Sequence, residues 1–224
     1  METKLMIVLT PRLQAVASFV SGDRLVDVGT DHAYLPVYLL TTGKIKYAWA
    51  TDINKGPLQK ANETIYSNGC TDSCKTILTD GLDGLDELDC TDISIAGMGG
   101  ILITEILERS DLSKKANLVL QPMTHPHLLR KFLYDNGYSI TDEGLAQEDR
   151  RIYQIIKAKY TGIPEEYSDY ELYIGKKNIE KNYLELFVPF CQKVYKELDI
   201  KYKGTKDENI GNILKEIERI IEKQ

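Results

Sequence analysis

Short apolar runs that close on an acid or a glycine alternate with helical segments through residues 25–136, and this alternation leaves few folds open to the chain. Residues 25–28 read as a strand interrupted by Asp27 and ended by Gly29, with a helix over 33–40. Residues 47–52 form a second strand; Asn54, Gly56 and Pro57 then open a helix over 58–68. A third strand at 76–78 precedes Asp80-Gly81, and a fourth at 93–96 precedes Gly97-Met98-Gly99-Gly100. The fifth lies at 117–121, with helices over 101–109 and 128–136. The last two strands, 138–143 and 152–160, are expected as antiparallel neighbours. Parallel strands need long crossovers, so the predicted fold is α/β, a doubly wound, mostly parallel sheet with helices on both faces. Such sheets gather ligands at the carboxyl ends of their strands, near the topological switch point.

The character changes after residue 160, where Thr161-Gly162-Ile163-Pro164 reads as a hinge. The expected organisation is a ligand-binding domain over 1–160 and a helical domain over 161–224. Leu184, Phe187, Cys191, Val194 and Leu198 recur at helical spacing, as do Ile210, Leu214, Ile217 and Ile221. Two amphipathic helices are predicted, with Pro189 kinking or restarting the first. The polar stretch 199–208 joins them into an antiparallel hairpin of coiled-coil type. A length of 224 residues suits one substantial core plus a small appendage. Residues 1–20 contain Lys4, Pro11 and Arg12 and no long apolar run, so neither a signal peptide nor a membrane span is expected and the reading is cytoplasmic. Cys70, Cys74, Cys90 and Cys191 show no zinc spacing and read as reduced structural thiols. A net charge of -6 argues against unspecific coating of nucleic acid while leaving room for a local basic face.

The loop after the first strand has one glycine, Gly29, where a pyrophosphate-binding loop would carry three. Thr30 and His32 take the other places. A dinucleotide is therefore poorly served, whereas a ligand without phosphate needs one close backbone approach. Asp27 suits a cation and repels a phosphate, which favours S-adenosylmethionine (SAM), with its sulfonium and amino group. Asp52, with Ile53 beside it, ends the second strand about 20 residues beyond the first loop, a position from which a carboxylate receives ribose hydroxyls. Asp80, before Gly81, is placed to receive the adenine amino group, although Asp-Gly is also a common turn. Gly97, Gly99 and Gly100 surround Met98, where backbone lacking Cβ faces both methionine and target base. His125 and His127 follow the fifth strand, but two histidines without an acid at ligand spacing make a weak metal site, and none is expected.

Asp27-Val28-Gly29-Thr30-Asp31-His32-Ala33-Tyr34-Leu35-Pro36 and Ile95-Ala96-Gly97-Met98-Gly99-Gly100 are the specific strings of a wider pattern. It includes Leu9-Thr10-Pro11-Arg12-Leu13, Ala50-Thr51-Asp52-Ile53-Asn54, Asp80-Gly81-Leu82, Leu120-Gln121-Pro122 and Arg151-Ile152-Tyr153. The chain resembles the bacterial tRNA (adenine-22-N1)-methyltransferase family over essentially its whole length. The resemblance implies a Rossmann-like class I SAM-dependent fold, a coiled-coil C-terminal domain, a tRNA substrate and methylation at N1 of an adenine in the D-arm region. The cofactor set is then Asp27, Gly29, His32, Asp52, Ile53, Asp80, Gly81, Gly97, Met98 and Gly99. Adenine N1 carries a lone pair, so positioning should dominate, and the product base is a cation. Asp31 is the candidate catalytic carboxylate, holding N6-H and the developing charge, with helix capping as its structural alternative. For tRNA the candidates are Arg12, Tyr34, Arg130 and Arg151, with Lys4, Lys44, Lys46, Lys131 and Arg150 as further phosphate contacts. A monomer is the expected state. The rival readings are a methyltransferase of a small molecule or protein whose hairpin makes a dimer, and a nucleoside-binding module without turnover.

Overall fold

A computed structural model describes residues 7–181 and 185–223. The elements run α1 (Pro11–Phe19), β1 (Arg24–Val28), α2 (Tyr34–Thr41), β2 (Tyr47–Asp52), α3 (Lys55–Ser67), β3 (Cys74–Leu78), β4 (Asp92–Gly99), α4 (Gly100–Glu108), β5 (Asn117–Thr124) and α5 (Pro126–Asp135). After them come β6 (Tyr138–Glu148), β7 (Arg151–Tyr160), α6 (Asp169–Ile174), α7 (Lys176–Glu180), α8 (Phe187–Thr205) and α9 (Glu208–Glu222). The strands form one seven-stranded sheet in the order β3-β2-β1-β4-β5-β7-β6. Neighbours from β3 to β5 are parallel, and β7 is antiparallel to both β5 and β6. The strand order reverses between β1 and β4, which fixes the switch point there.

Alternation of side chains along β1 decides which helices cover which face. Val26 and Val28 pack with Ile93 and Ile95 against Ile103, Ile106 and Leu107 of α4 and Leu129 and Leu133 of α5. Leu25 turns to the other face, where Ala48 and Ala50 meet Val16 and Ala17 of α1, Val37 and Leu39 of α2, and Ala61 and Ile65 of α3. Each fully buried Leu, Ile or Val contributes about 1.5–3 kcal/mol of transfer free energy, so a one-residue slip of β1 would forfeit several such terms at once. The doubly wound arrangement is as the alternation predicts.

A third cluster joins Phe187, Phe190, Cys191, Val194 and Leu198 of α8 to Ile210, Ile213, Leu214 and Ile217 of α9. Ile174 and, from the sheet, Leu145 and Ile152 pack into it. The helices are thus a pair docked on the outer β6-β7 hairpin, whereas a two-stranded coiled coil would fill its seam from two helices alone. Helix α8 continues through the polar residues expected as a connection, leaving Lys206 and Asp207 between the helices. Pro189 falls in the first turn of α8, where its missing N–H is tolerated, so the helix starts there and does not kink. Leu184 and Lys4 lie outside the described residues. The expected hinge is tied down: Thr161 N–H and Gly162 N–H both donate to Gly137 O, at 2.8 and 3.0 Å.

Several expected RNA contacts are corrected. Arg130 is buried, with Nε donating to Glu143 Oε1 at 2.7 Å, Nη1 to Leu172 O at 2.9 Å and Nη2 to Gln154 Oε1 at 2.7 Å. A guanidinium enclosed this way is unavailable to a phosphate. Lys44 donates to Ala17 O and Lys46 pairs with Asp23, both at the amino end of β2 and away from the switch-point crevice. Lys131, on α5, is engaged by Asp135 of the same helix and by Tyr167 just ahead of α6.

Candidate cofactor and substrate cleft

The loop leaving β1 is wound tightly because Gly29, Asp31 and Ala33 all take left-handed backbone, at φ 69, 53 and 56°. Thr30 N–H donates to Thr51 O at 2.9 Å, pinning the loop to the end of β2, and Ala33 N–H closes a turn on Thr30 O at 3.0 Å. Glycine takes this conformation freely, whereas Asp31 and Ala33 each carry a strain of about 1–2 kcal/mol. The surrounding bonds must hold that strain, as they do at sites where geometry is functional. Ala33, not Asp31, is the residue entering α2, and it makes no side-chain cap. The capping alternative for Asp31 therefore has no support, and its exposed carboxylate stands 3.7 Å from His32 Nε2. The His32 ring stacks on Tyr34, with centroids 5.1 Å apart.

Two lobes meet at this loop and share Val28, Gly29, Ala96 and Gly97. One, of about 270 Å³, is lined by Arg12, Asp27, Asp31, His32 and Tyr34. The other, of about 370 Å³, takes in Asp52, Ile53, Asp80, Gly81, Met98 and Leu102. In the first, Asp27 is buried between β2 and β4 and accepts Ser94 Oγ at 2.6 Å. Burial pushes its carboxyl up to about 6, with the Ser94 hydroxyl opposing. A buried carboxylate of this kind gains from a cation brought into the lobe. In the second lobe, Asp52 Oδ1 accepts Asn54 N–H at 2.8 Å, which fixes the carboxylate at the strand end. Ile53 is 60% exposed and offers an apolar flank. Asp80 is contacted by Arg109 at 3.4 Å, so the arginine shares the acid with any ligand.

The turn after β4 divides its glycines between two tasks. Gly97 lines both lobes, and its N–H donates to Gln121 Oε1 at 3.1 Å. Gly99 lines neither lobe; it pairs with Thr124 across the sheet. A Cβ on Gly100 would lie 2.6 Å from His125 O and 2.8 Å from Thr124 O, so this glycine serves the approach of α4 to the β5-α5 turn. At Gly29 a Cβ would meet Met98 Cε at 2.2 Å, which places Met98 over the loop. His125 and His127 lie outside both lobes; His127 stacks on Tyr173 at 4.7 Å, and burial pushes it down to about 4.

The residues present fit a nucleoside with a cationic tail. One lobe offers a desolvated acid, the other offers acids at two strand ends, and the buried Thr51 Oγ1 beside them has no hydrogen-bond partner. Of the predicted residues, Gly99 and the buried Arg130 stay outside the lobes, and Arg151 is exposed at the start of β7. Sequence reasoning missed Gln121 as a site residue. Its signal was present, as a polar side chain closing the apolar run Leu118-Val119-Leu120.

The family model for a methyltransferase domain matches residues 9–156. The tRNA (adenine(22)-N(1))-methyltransferase of Bacillus subtilis (strain 168) is 36% identical over 154 residues, which are 67% of this chain and 65% of that protein. A Streptococcus pneumoniae structure, described as a putative tRNA (m1A22) methyltransferase in complex with S-adenosyl-L-methionine, superposes with a TM-score of 0.83 at 32% identity, covering 96% of this chain and all of that one. The M. capricolum protein TrmK, solved with S-adenosyl-homocysteine, gives 0.81 at 29% identity, over 96% of this chain and 98% of that one. By its loop, its strand order and these likenesses, the chain belongs to the bacterial tRNA (adenine(22)-N1)-methyltransferase family.

Proposed function

We propose that this protein transfers a methyl group from SAM to N1 of an adenine, at position 22 in the D-arm region of tRNA. The observation that carries the reading is the two-lobed cleft at the β1-β4 switch point, with Asp27 buried in one lobe and Asp52 and Asp80 at strand ends in the other. The activity for which the Bacillus subtilis relative is named and the SAM-bound Streptococcus pneumoniae relative support it. Around the turns that follow β4 and β5, Ile101, Leu102, Met123 and Leu128 are 40–46% exposed, an apolar rim suited to a base taken out of its stack.

The cofactor supplies the methyl group, and the electron pair of the breaking C–S bond stays with sulfur. Adenine N1 forms the new bond with its own lone pair, so no residue has to remove a proton first. The protein's task is then alignment and charge. Asp31, lining the same lobe as Asp27, accepts N6-H and offsets the positive charge that grows on the ring. Tyr34, stacked on His32, supplies a face for the base, and Arg151 meets the RNA backbone. Residues 161–224 act as a second domain that helps to hold the tRNA, and the chain works in the cytoplasm as a monomer. Among the described residues no helix is long and apolar enough to cross a membrane.

Transcripts of the parent tRNA and of a variant with the target adenine replaced by guanine, incubated with methyl-labelled SAM, test this reading. Label should enter the parent alone and appear as 1-methyladenosine after nuclease digestion. Equal incorporation into both transcripts would sink it.

A further inference from the structure

Gln121 is completely buried at the end of β5, and a buried amide needs partners for both its ends. Its Oε1 accepts from Arg12 Nη1 at 2.8 Å and from Gly97 N–H at 3.1 Å. Its Nε2 donates to Pro122 O at 3.0 Å. Turning the amide over would set its NH₂ against two donors, so the orientation is fixed. Arg12 is held from two further sides. Its backbone N–H donates to Glu148 Oε2 at 3.1 Å, and its guanidinium lies 5.7 Å from the centre of the Tyr153 ring. Among the described residues no other acceptor engages that guanidinium and no carboxylate pairs with it. It thus presents unused N–H donors inside the lobe that also contains Asp27 and Asp31.

Arg12 and the buried Asp27 around a space of about 270 Å³ match an amino-acid zwitterion, whereas an RNA phosphate would be repelled by Asp27 and Asp31. We propose that Arg12 receives the carboxylate at the methionine end of SAM, and that Gln121 is the positioning residue that aims Arg12 and the Gly97 turn at that end of the cofactor. This assignment rests on reading the cleft as a SAM site, and it moves Arg12 from the tRNA to the cofactor. Each charge-assisted hydrogen bond to a carboxylate is strong and geometrically selective, so its loss is readable in binding alone.

Calorimetry with SAM, decarboxylated SAM and 5′-methylthioadenosine tests the assignment. The second ligand lacks only the carboxylate; the third lacks the amino-acid end altogether and reports on folding of the cleft. Wild type should bind decarboxylated SAM about 10- to 100-fold more weakly than SAM, the loss expected for hydrogen bonds to a charged group. Arg12→Ala should bring SAM down to the level of decarboxylated SAM while leaving both truncated ligands within about twofold, as separable interactions add. Gln121→Ala should weaken SAM in the same direction and spare methylthioadenosine. If Arg12→Ala keeps the full preference for SAM over decarboxylated SAM and weakens tRNA binding instead, the arginine belongs to the RNA and the proposal is overturned. Wild type that binds neither SAM nor methylthioadenosine overturns it together with the reading beneath it.

Discussion

Asp27 and Asp31 flank the same glycine yet are set up for opposite tasks, and substitutions should separate them. Asp27 is buried, and its folded value of about 6 lies above the ordinary 3.8. The folded state therefore binds the proton more tightly, so this group's contribution to stability is full below about pH 4 and is lost as pH rises through about 6. Asp27→Asn should raise the thermal stability of the ligand-free protein by about 1–3 kcal/mol at pH 8 and by little at pH 4, while weakening SAM. Melting curves across that pH range check the first part. In wild type, SAM affinity should increase with pH up to about 6 and then level off, because the cation binds the ionised acid best. A flat affinity profile between pH 5 and 7 would refute that coupling. Asp31 is exposed and left-handed, a conformation asparagine tolerates well. Asp31→Asn should keep SAM affinity within about twofold and lower kcat by about 10²-fold or more, the range seen when a group stabilising transition-state charge is removed. Unchanged kcat would confine Asp31 to loop geometry.

Helix α5, strand β6 and helix α6 meet at the Arg130–Glu143 pair, which is wholly enclosed. Glu143 Oε2 also accepts Lys177 N–H at 2.9 Å, so one carboxylate joins the sheet to the start of α7. Removing one partner leaves a buried charge, and Arg130→Ala should cost about 3–5 kcal/mol. Arg130→Met with Glu143→Leu should cost much less than that single change, because no charge is stranded. Denaturant titrations of the three proteins check this; additive losses would mean the pair does not act as a unit. Strands β1, β2 and β4 were legible because each is a compact apolar run ended by Asp or Gly. The outer half of β6, residues 144–148, was not: it pairs with β7 alone, and Gln147 and Glu148 blur the alternation. Arg130 was misread because a charged residue on a helix usually faces water, and the acid that buries it lies 13 residues away on β6. In α8, exposed Gly204 costs only about 1 kcal/mol in helix propensity, too little to end the helix at residue 199.

The proposed binding of tRNA requires an acidic chain to concentrate its cations where the RNA passes, and the topology indicates the place. Because β7 runs antiparallel to β5, the β6-β7 tip projects on the side where the parallel strands end, next to the cleft. Glu148 at that tip holds the backbone of Arg12, and Tyr153 lies under the Arg12 side chain, while Leu145 and Ile152 pack into the helical cluster behind it. The tip thus bridges the cleft and the helices, which is why we propose residues 161–224 as a support for tRNA even though α6 and its neighbours are bonded to the sheet. Arg150 and Arg151 are exposed there, and neither forms a salt bridge with a described residue. Replacing both by glutamine should weaken tRNA binding at every salt concentration and reduce the slope of log K against log salt by about 1 for each phosphate that is no longer neutralised. SAM affinity should stay within about twofold, since neither arginine lines a lobe of the cleft. Filter binding of tRNA between about 50 and 200 mM salt, the range over which neutralised phosphates change affinity most, makes the measurement. An unaltered slope would move the RNA away from the β6-β7 tip and onto the apolar rim and the outer face of the helices.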